Sequence, residues 1–363
     1  MSSTEAGQDT QRRPSGMTAF IVIFLLLHVP LFIYPVVRLG GWLDLDGFLM
    51  TLIGVPVVFS QIISRWLLRR VRKPWLKGLR QSADFLLGLS PVVLISLIIA
   101  EISVVAGIME PAEAAWSVLG VSLLIGTVGV MAAWQPMVKR VRLDVESLQA
   151  PLRMVQITDV HIGSRSKRFL ESVIARVTEL DPDLLCITGD FIDAWAVPES
   201  ELVALKQLQC PIYFTIGNHE RYEDLEDILA RLERLGVVVL RNRSVSHRDD
   251  VQVIGIDDRD NTRQVEQQLN RIQLAEEGFK LLMYHRPEGL EAAAKAGIDL
   301  MISGHTHNGQ IFPFNLLVKQ VFDKIVGLHS LDKTRLYVSQ GTGTWGPVMR
   351  VGTRSEITLF ELE

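Results

Sequence analysis

The chain has 363 residues, a formal net charge of −4 and 48% hydrophobic residues, with a mean hydropathy of +0.24. That apolar content is high for a soluble enzyme and puts part of the chain in lipid. The charge is uneven: residues 1–150 carry 13 Lys and Arg against 10 Asp and Glu, residues 151–363 carry 24 against 31, and an acidic second half without a basic run argues against a nucleic-acid partner.

Residues 1–16 are polar and read as a disordered tail. Four apolar stretches follow, Met17–Leu39, Gly47–Leu68, Ala83–Met109 and Ala114–Met137. Each reaches the roughly 20 residues that a helix needs to cross a hydrocarbon core. Their prolines (Pro30, Pro35, Pro56, Pro91) are tolerated in membrane helices. The first stretch lacks a small-residue cleavage site, so no removed signal peptide is expected. Trp42, Trp66, Trp75, Trp116 and Trp134 lie near the ends, as interfacial anchors do.

Positive charge sets the orientation. Arg12 and Arg13 precede the first stretch, and Arg69, Arg70, Arg72, Lys73, Lys77 and Arg80 fill the second connection. Lys139, Arg140 and Arg142 follow the fourth stretch, while the third connection has no Lys or Arg. The expectation is a multi-pass protein of the cell inner membrane, with N-terminus, second connection and C-terminal domain in the cytoplasm. Glu101 and His28 fall inside apolar stretches, where ionisable groups are functional suspects, but the sequence gives neither a partner.

A linker is expected over 139–151, and from Leu152 onward the pattern changes. Strands are predicted at Met154–Thr158, Leu184–Thr188, Ile212–Ile216, Val237–Leu240, Val251–Ile256, Lys280–Tyr284, Leu300–Ser303, Leu336–Ser339 and Glu356–Glu361. Helices are predicted at Lys167–Leu180, Glu199–Leu208, Leu225–Leu235, Gln264–Ala275 and Pro287–Ala296. This alternation implies an α/β domain, and its many late strands suggest two packed sheets. Cys186 and Cys210 lie in strand-like runs and read as free core thiols.

Five strand ends deliver Asp, Asn and His: Asp159-Val160-His161, Gly189-Asp190, Gly217-Asn218-His219-Glu220, His285 and Gly304-His305-Thr306-His307. Ligands collect at the carboxyl ends of strands in such folds. Oxygen and imidazole donors without thiolate suit manganese, iron or zinc. Seven donors are too many for one ion and right for two that share a bridge. Two cations about 3.5–4 Å apart can clamp a phosphoryl group and lower the pKa of a bound water. The glycines before Asp190, Asn218 and His305 are expected to let the backbone turn sharply.

Those motifs, in that order, resemble the calcineurin-like metallophosphoesterase superfamily over residues 152–363. The resemblance implies a four-layer β-sandwich flanked by helices, here preceded by four transmembrane helices. It implies that Asp159, His161 and His307 hold a first divalent metal and Asn218, His285 and His305 a second, with Asp190 bridging both. Manganese is the expected metal, with iron or zinc as alternatives. His219 would then lie over the phosphoryl group, stabilising charge or protonating the leaving oxygen. Glu220 stands where many relatives have Asp and would support the loop.

Gly304–Gln310 and Gly341–Pro347 resemble bacterial membrane-associated members, some linked to hydrolysis of UDP-2,3-diacylglucosamine in lipid A synthesis. The resemblance thus implies a membrane-anchored phosphoesterase acting on a membrane lipid or lipid-linked substrate. A soluble phosphodiester or phosphoprotein substrate is the alternative, and a non-enzymatic metal-binding sensor or transporter is a third. The strongly apolar Ile311–Leu328 segment reads either as an interfacial flap or acyl-chain groove, or as a helix packed on the core.

Overall fold

A computed structural model of the chain describes residues 25–64 and 74–363. The tail 1–16, the start of the first apolar stretch, Trp66 and the basic residues Arg69, Arg70, Arg72 and Lys73 lie outside the described residues. Two compact units divide between Leu123 and Leu124.

The N-terminal unit is helical. A π-helical turn at Val29–Ile33 runs into α1 (Tyr34–Trp42), followed by α2 (Gly47–Ile62), α3 (Pro74–Val105) and α4 (Pro111–Trp134). Asp46 caps α2, its side chain accepting from the backbone N–H of Phe48 at 2.8 Å and Leu49 at 2.9 Å. Among the described residues, three helices are long and apolar enough to cross a membrane: Leu25–Trp42, Gly78–Val105 and Pro111–Trp134. This corrects the expected four. The second stretch, expected at Gly47–Leu68, is helical over the 16 residues Gly47–Ile62, and its end from Arg65 onward lies outside the described residues.

Glu101 has partners that its sequence neighbourhood hides. Arg38 Nε donates to Glu101 Oε1, Arg38 Nη2 donates to Oε2 at 2.7 Å, and Tyr34 Oη donates to Oε1 at 2.9 Å. The guanidinium also lies 4.8 Å from the centre of the Trp42 ring. His28 stacks on Phe32, with centroids 5.0 Å apart.

The second unit holds two six-stranded mixed sheets. The first contains β1 (Met137–Leu143), β12 (Glu356–Leu362), β2 (Leu152–Ile157), β3 (Leu184–Thr188), β4 (Ile212–Thr215) and β5 (Val237–Val239), side by side in that order. The second contains β10 (Gly327–Leu331), β11 (Thr334–Val338), β9 (Leu300–Ser303), β8 (Phe279–Tyr284), β7 (Val251–Ile256) and β6 (Arg243–Arg248). Residues 137–143, which include the start of the expected linker, thus form an edge strand parallel to β12. The predicted helix Glu199–Leu208 appears as two short 3-10 turns, Glu199–Glu201 and Val203–Gln207.

The period-2 alternation of strand side chains sorts the core. Met154, Leu184 and Cys186 of the first sheet share one buried cluster with Val253, Leu281 and Ile302 of the second. The alternate residues Val155, Ile157, Leu185 and Ile187 pack instead on Phe169, Val173 and Val177 of α5 (Lys167–Glu179). On the other sheet, Ile254, Leu282 and Met301 pack on Val265 and Leu269 of α8 (Gln264–Leu269) and on Leu290 of α9 (Leu290–Lys295). These lie beyond the short helices α6 (Asn218–Tyr222) and α7 (Leu225–Arg234). Each such side chain contributes about 1.5–3 kcal/mol on burial. Both cysteines are free.

Strand β2 is parallel to β3 and β3 to β4, and Ile157 pairs with Ile187 and Ile187 with Phe214. Their carboxyl ends therefore open at one edge. The same holds for β7, β8 and β9, where Ile256 pairs with Tyr284 and Met283 with Ile302. All five motif-bearing loops leave from these ends.

A candidate dinuclear metal centre

The loops bring most of the predicted donors into tight groups. Donor atoms of Asp159, His161 and His307 lie within 4.8 Å of one another, as do those of Asp190, His285 and His305. Asp159 Oδ1 is 3.3 Å from His307 Nε2, and His161 Nε2 is 3.1 Å from the same atom. In the second group His285 Nε2 lies 3.1 Å from Asp190 Oδ2 and 3.2 Å from His305 Nδ1. His285 also reaches toward the first group, 4.0 Å from Asp159 Oδ1. Asn218 follows Gly217 at the tip of β4, and its Oδ1 is buried with no hydrogen-bond partner. His219 donates its backbone N–H to Asp190 Oδ1 at 2.9 Å. Its partly exposed ring keeps Nε2 4.0 Å from Asp190 Oδ2.

The backbone is bent to make this arrangement. Five of the seven predicted ligands have left-handed φ: Asp159 at 53°, His161 at 58°, Asp190 at 50°, His305 at 70° and His307 at 49°. Such conformations cost on the order of 1 kcal/mol or more each and cluster at functional sites. The glycines turn out to serve space more than turning. A Cβ on Gly217 would lie 2.1 Å from Asp190 Oδ1, and one on Gly304 would lie 2.3 Å from Asp159 Oδ2. Of the three, only Gly189 has positive φ.

Glu220 locks two loops together. Its Oε2 accepts from Gly217 N at 2.8 Å and Asp190 N at 3.1 Å; its Oε1 accepts from Phe191 N at 2.7 Å and Ile192 N at 2.9 Å. Burial and the Asp190 charge push its pKa up to about 7, while these backbone N–H donors favour the ionised form. The role is loop support, as its position suggested.

The electrostatics suit cations. Burial opposes ionisation of Asp159 and Asp190, yet His307 and His285 respectively hold them below the ordinary carboxylate range. Burial pushes His305 and His307 down to about 4, with His285 adding to the effect at His305. Ionised carboxylates and unprotonated imidazoles are the forms that bind metal. Against burial, the charges of Asp190 and Asp159 hold His285 up at about 10. His161 Nε2 and His307 Nε2 face each other at 3.1 Å, close enough for one ring to donate to the other or for both to face one cation. With the orphaned Asn218 oxygen, this donor set fits two divalent ions.

Sequence reasoning missed Asp193, whose Oδ2 is 3.3 Å from His161 Nδ1 and which with His161 and His219 forms a third grouping. A carboxylate behind an imidazole orients a metal ligand; the only signal was its place three residues after Asp190. Two buried arginines were also missed, Arg165 and Arg350, at 2% and 1% exposure. Neither has a motif to mark it.

A family model described as calcineurin-like phosphoesterase matches residues 152–309. An uncharacterized metallophosphoesterase of Campylobacter jejuni is 32% identical over 258 residues, covering 68% of this chain and 68% of the relative. A Danio rerio protein described as a transmembrane protein with metallophosphoesterase domain is 33% identical over 291 residues, 73% of this chain and 65% of its own. The chain thus spans about two thirds of the length of these relatives. Among solved structures, phosphopantetheinyl hydrolase from Mycobacterium tuberculosis aligns with a TM-score of 0.36 and 13% identity over 55% of this chain and 92% of that one. The chain belongs to the calcineurin-like metallophosphoesterase family, a family of metal-dependent phosphoesterases.

Proposed function

We propose that this protein is a membrane-anchored phosphoesterase that hydrolyses a phosphate-ester or pyrophosphate bond of a lipid-linked substrate, of the UDP-2,3-diacylglucosamine or phospholipid type. Asp159, His161 and His307 would hold one divalent cation, Asn218, His285 and His305 the other, and Asp190 both. Manganese fits these donors, as do iron and zinc. When bound, such a pair clamps the phosphoryl oxygens and makes water a nucleophile near neutral pH. The chain's own contribution is placement. Glu220 fixes the Asp190 and Asn218 loops, and Asp193 orients His161. The partly exposed His219 is left for the substrate, to hydrogen-bond a phosphoryl oxygen or give a proton to the leaving oxygen.

One observation carries the substrate reading. The Ile311–Leu328 segment is not a core helix: Leu316, Leu317 and Val321 are 53%, 60% and 74% exposed, and the helix α10 (Phe314–Val318) has no buried residue. This apolar surface starts beside the site, where the Phe322 ring centre lies 5.3 Å from that of His305. An exposed apolar patch next to a catalytic centre on a membrane-anchored chain fits an interfacial flap.

The catalytic domain is proposed to face the cytoplasm, on the inner membrane. The α3–α4 pair supports this without reference to the number of earlier crossings. Lys77 and Arg80 lie at the start of α3 and Lys139, Arg140 and Arg142 follow the end of α4, the two ends that share one side when the pair crosses twice, while the connection on the other side has no Lys or Arg. With three such helices among the described residues instead of four, the side of the N-terminus no longer follows.

The test is the triple variant Leu316→Gln, Leu317→Gln, Val321→Gln. Turnover of a lipid-linked pyrophosphate in vesicles should fall about 10-fold or more, with turnover of a soluble chromogenic diester changed less than about twofold. An equal loss on both, or on neither, would remove the lipid reading and favour a soluble substrate.

A further inference from the structure

The last turns of α4 lie in the same compact unit as the catalytic sheets, and two buried arginines join them to one half of the site. Arg350 donates its backbone N–H to Gly129 O of α4 at 2.9 Å. Its guanidinium points the other way. Nη1 donates to His307 O at 3.2 Å, and Nη2 lies 3.3 Å from His307 Nδ1. Nη2 also donates to the carbonyls of Gln340 at 2.7 Å, Gly341 at 3.1 Å and Gly343 at 2.8 Å. That loop in turn holds the first motif, since Gly343 N donates to Asp159 O at 2.9 Å.

Arg165 makes a second link. Its backbone N–H donates to His161 O at 2.8 Å. Its Nη2 donates to Ala133 O, one of the terminal carbonyls of α4, at 3.1 Å. The guanidinium carbon lies over two aromatic rings set edge to face, 3.8 Å from the centre of Phe169 and 4.6 Å from that of Trp134. Its Nε and Nη1 have no hydrogen-bond partner. A buried arginine held by ring faces and a helix C-terminus is placed by α4. Ser355 Oγ donates to the same Ala133 carbonyl at 3.2 Å.

All three residues assigned to the first cation therefore trace to α4 in one or two steps: His307 through Arg350, Asp159 through the loop Arg350 holds, and His161 through Arg165. In the second group His285 is anchored on the sheet, its Nδ1 2.9 Å from Thr188 O of β3, while His305 donates its backbone N–H to Asp159 Oδ2 at 3.1 Å. We propose that the C-terminal turns of α4 are a structural wall of the first cation's half of the site, with Arg165 and Arg350 as positioning residues, so that the membrane helix sets the affinity for that cation. The proposal rests on the assignment of Asp159, His161 and His307 to one cation.

Gly129 allows a test that touches no site residue. It is buried, and a Cβ there would lie 2.8 Å from Met349 Cγ and 3.0 Å from Arg350 O, whereas one on Gly120 of the same helix meets nothing within 4 Å. Manganese binding to the full chain in detergent is measured by electron paramagnetic resonance, beside a thermal melt. Wild type and Gly120→Ala should bind two ions. Gly129→Val should lose affinity for one ion by about 10-fold or more and keep the other within about threefold, as disturbed outer-shell partners of metal ligands do. Should Gly129→Val fail to fold, Gly129→Ala and Arg350→Lys are read the same way. Two unchanged affinities, equal loss at both sites, or the same loss in Gly120→Ala would overturn the proposal. Wild-type protein that binds no manganese would instead overturn the cation assignment itself.

Discussion

Charged side chains gather in two regions of this protein and behave differently in each. In the helical unit, Glu101 meets Arg38 and Tyr34, and every contact pairs a donor with an acceptor. That group is complete in itself, which weighs against the relay role that an intramembrane glutamate invites. At the strand ends, His161 and His307 turn ring nitrogens on each other at 3.1 Å, Asn218 Oδ1 has no partner, and five ligand residues adopt left-handed φ. That group gathers ligand-type side chains around an open buried acceptor, an arrangement that suits cations. Polar groups that satisfy one another are structure; ligand-type side chains that converge around an orphaned buried acceptor are a candidate site.

If this distinction holds, substitutions in the two regions should differ in kind. The largest effect is expected at Asp190, shared by both proposed cations. Asp190→Ala should lower hydrolysis of a chromogenic phosphodiester by about 10³-fold or more with manganese present; turnover near wild type would place the chemistry elsewhere. Next is His219, proposed to meet the substrate rather than hold a cation. His219→Ala should reduce turnover about 10²-fold while two manganese ions still bind, and loss of an ion would make His219 a ligand.

Smaller effects should appear as stability. Glu220→Gln replaces a carboxylate that accepts from four backbone N–H groups. It should cost about 2–3 kcal/mol, seen as a drop of roughly 4–12 °C in the melting temperature of the catalytic domain. An unchanged melt would mean that the loops are held by other contacts. The smallest effect is expected in the helical unit. Glu101→Gln should reduce its stability by about 1–2 kcal/mol and alter phosphodiester turnover less than about twofold. A catalytic loss there would erase the contrast between the regions.

How much of this could be read in the chain depended on where each residue sits. Central strands such as Leu184–Thr188, Val251–Ile256 and Leu300–Ser303 are buried on both faces, so their apolar runs announced them. The strands that escaped notice, β1, β6 and β10, are edges of the two sheets. Edge strands carry charge and exposure to avoid pairing with other chains, and Met-Val-Lys-Arg-Val-Arg-Leu or Arg-Ser-Val-Ser-His-Arg reads as loop for that reason. The donors were legible because each follows a strand within a few residues. Their supports were not. Arg350 acts on His307 from 43 positions away and Arg38 on Glu101 from 63, and no local pattern records such pairs. The apolar run after His307 was visible, but only its exposure separates a flap from a core helix.

The assignment of two cations to seven donors is best examined by growing crystals with manganese and collecting anomalous diffraction at its absorption edge. Two peaks are expected about 3.5–4 Å apart, one among Asp159, His161 and His307, the other among Asn218, His285 and His305, with Asp190 touching both. A single peak held by His161, Asp193 and His219, or no peak at the strand ends, would contradict it.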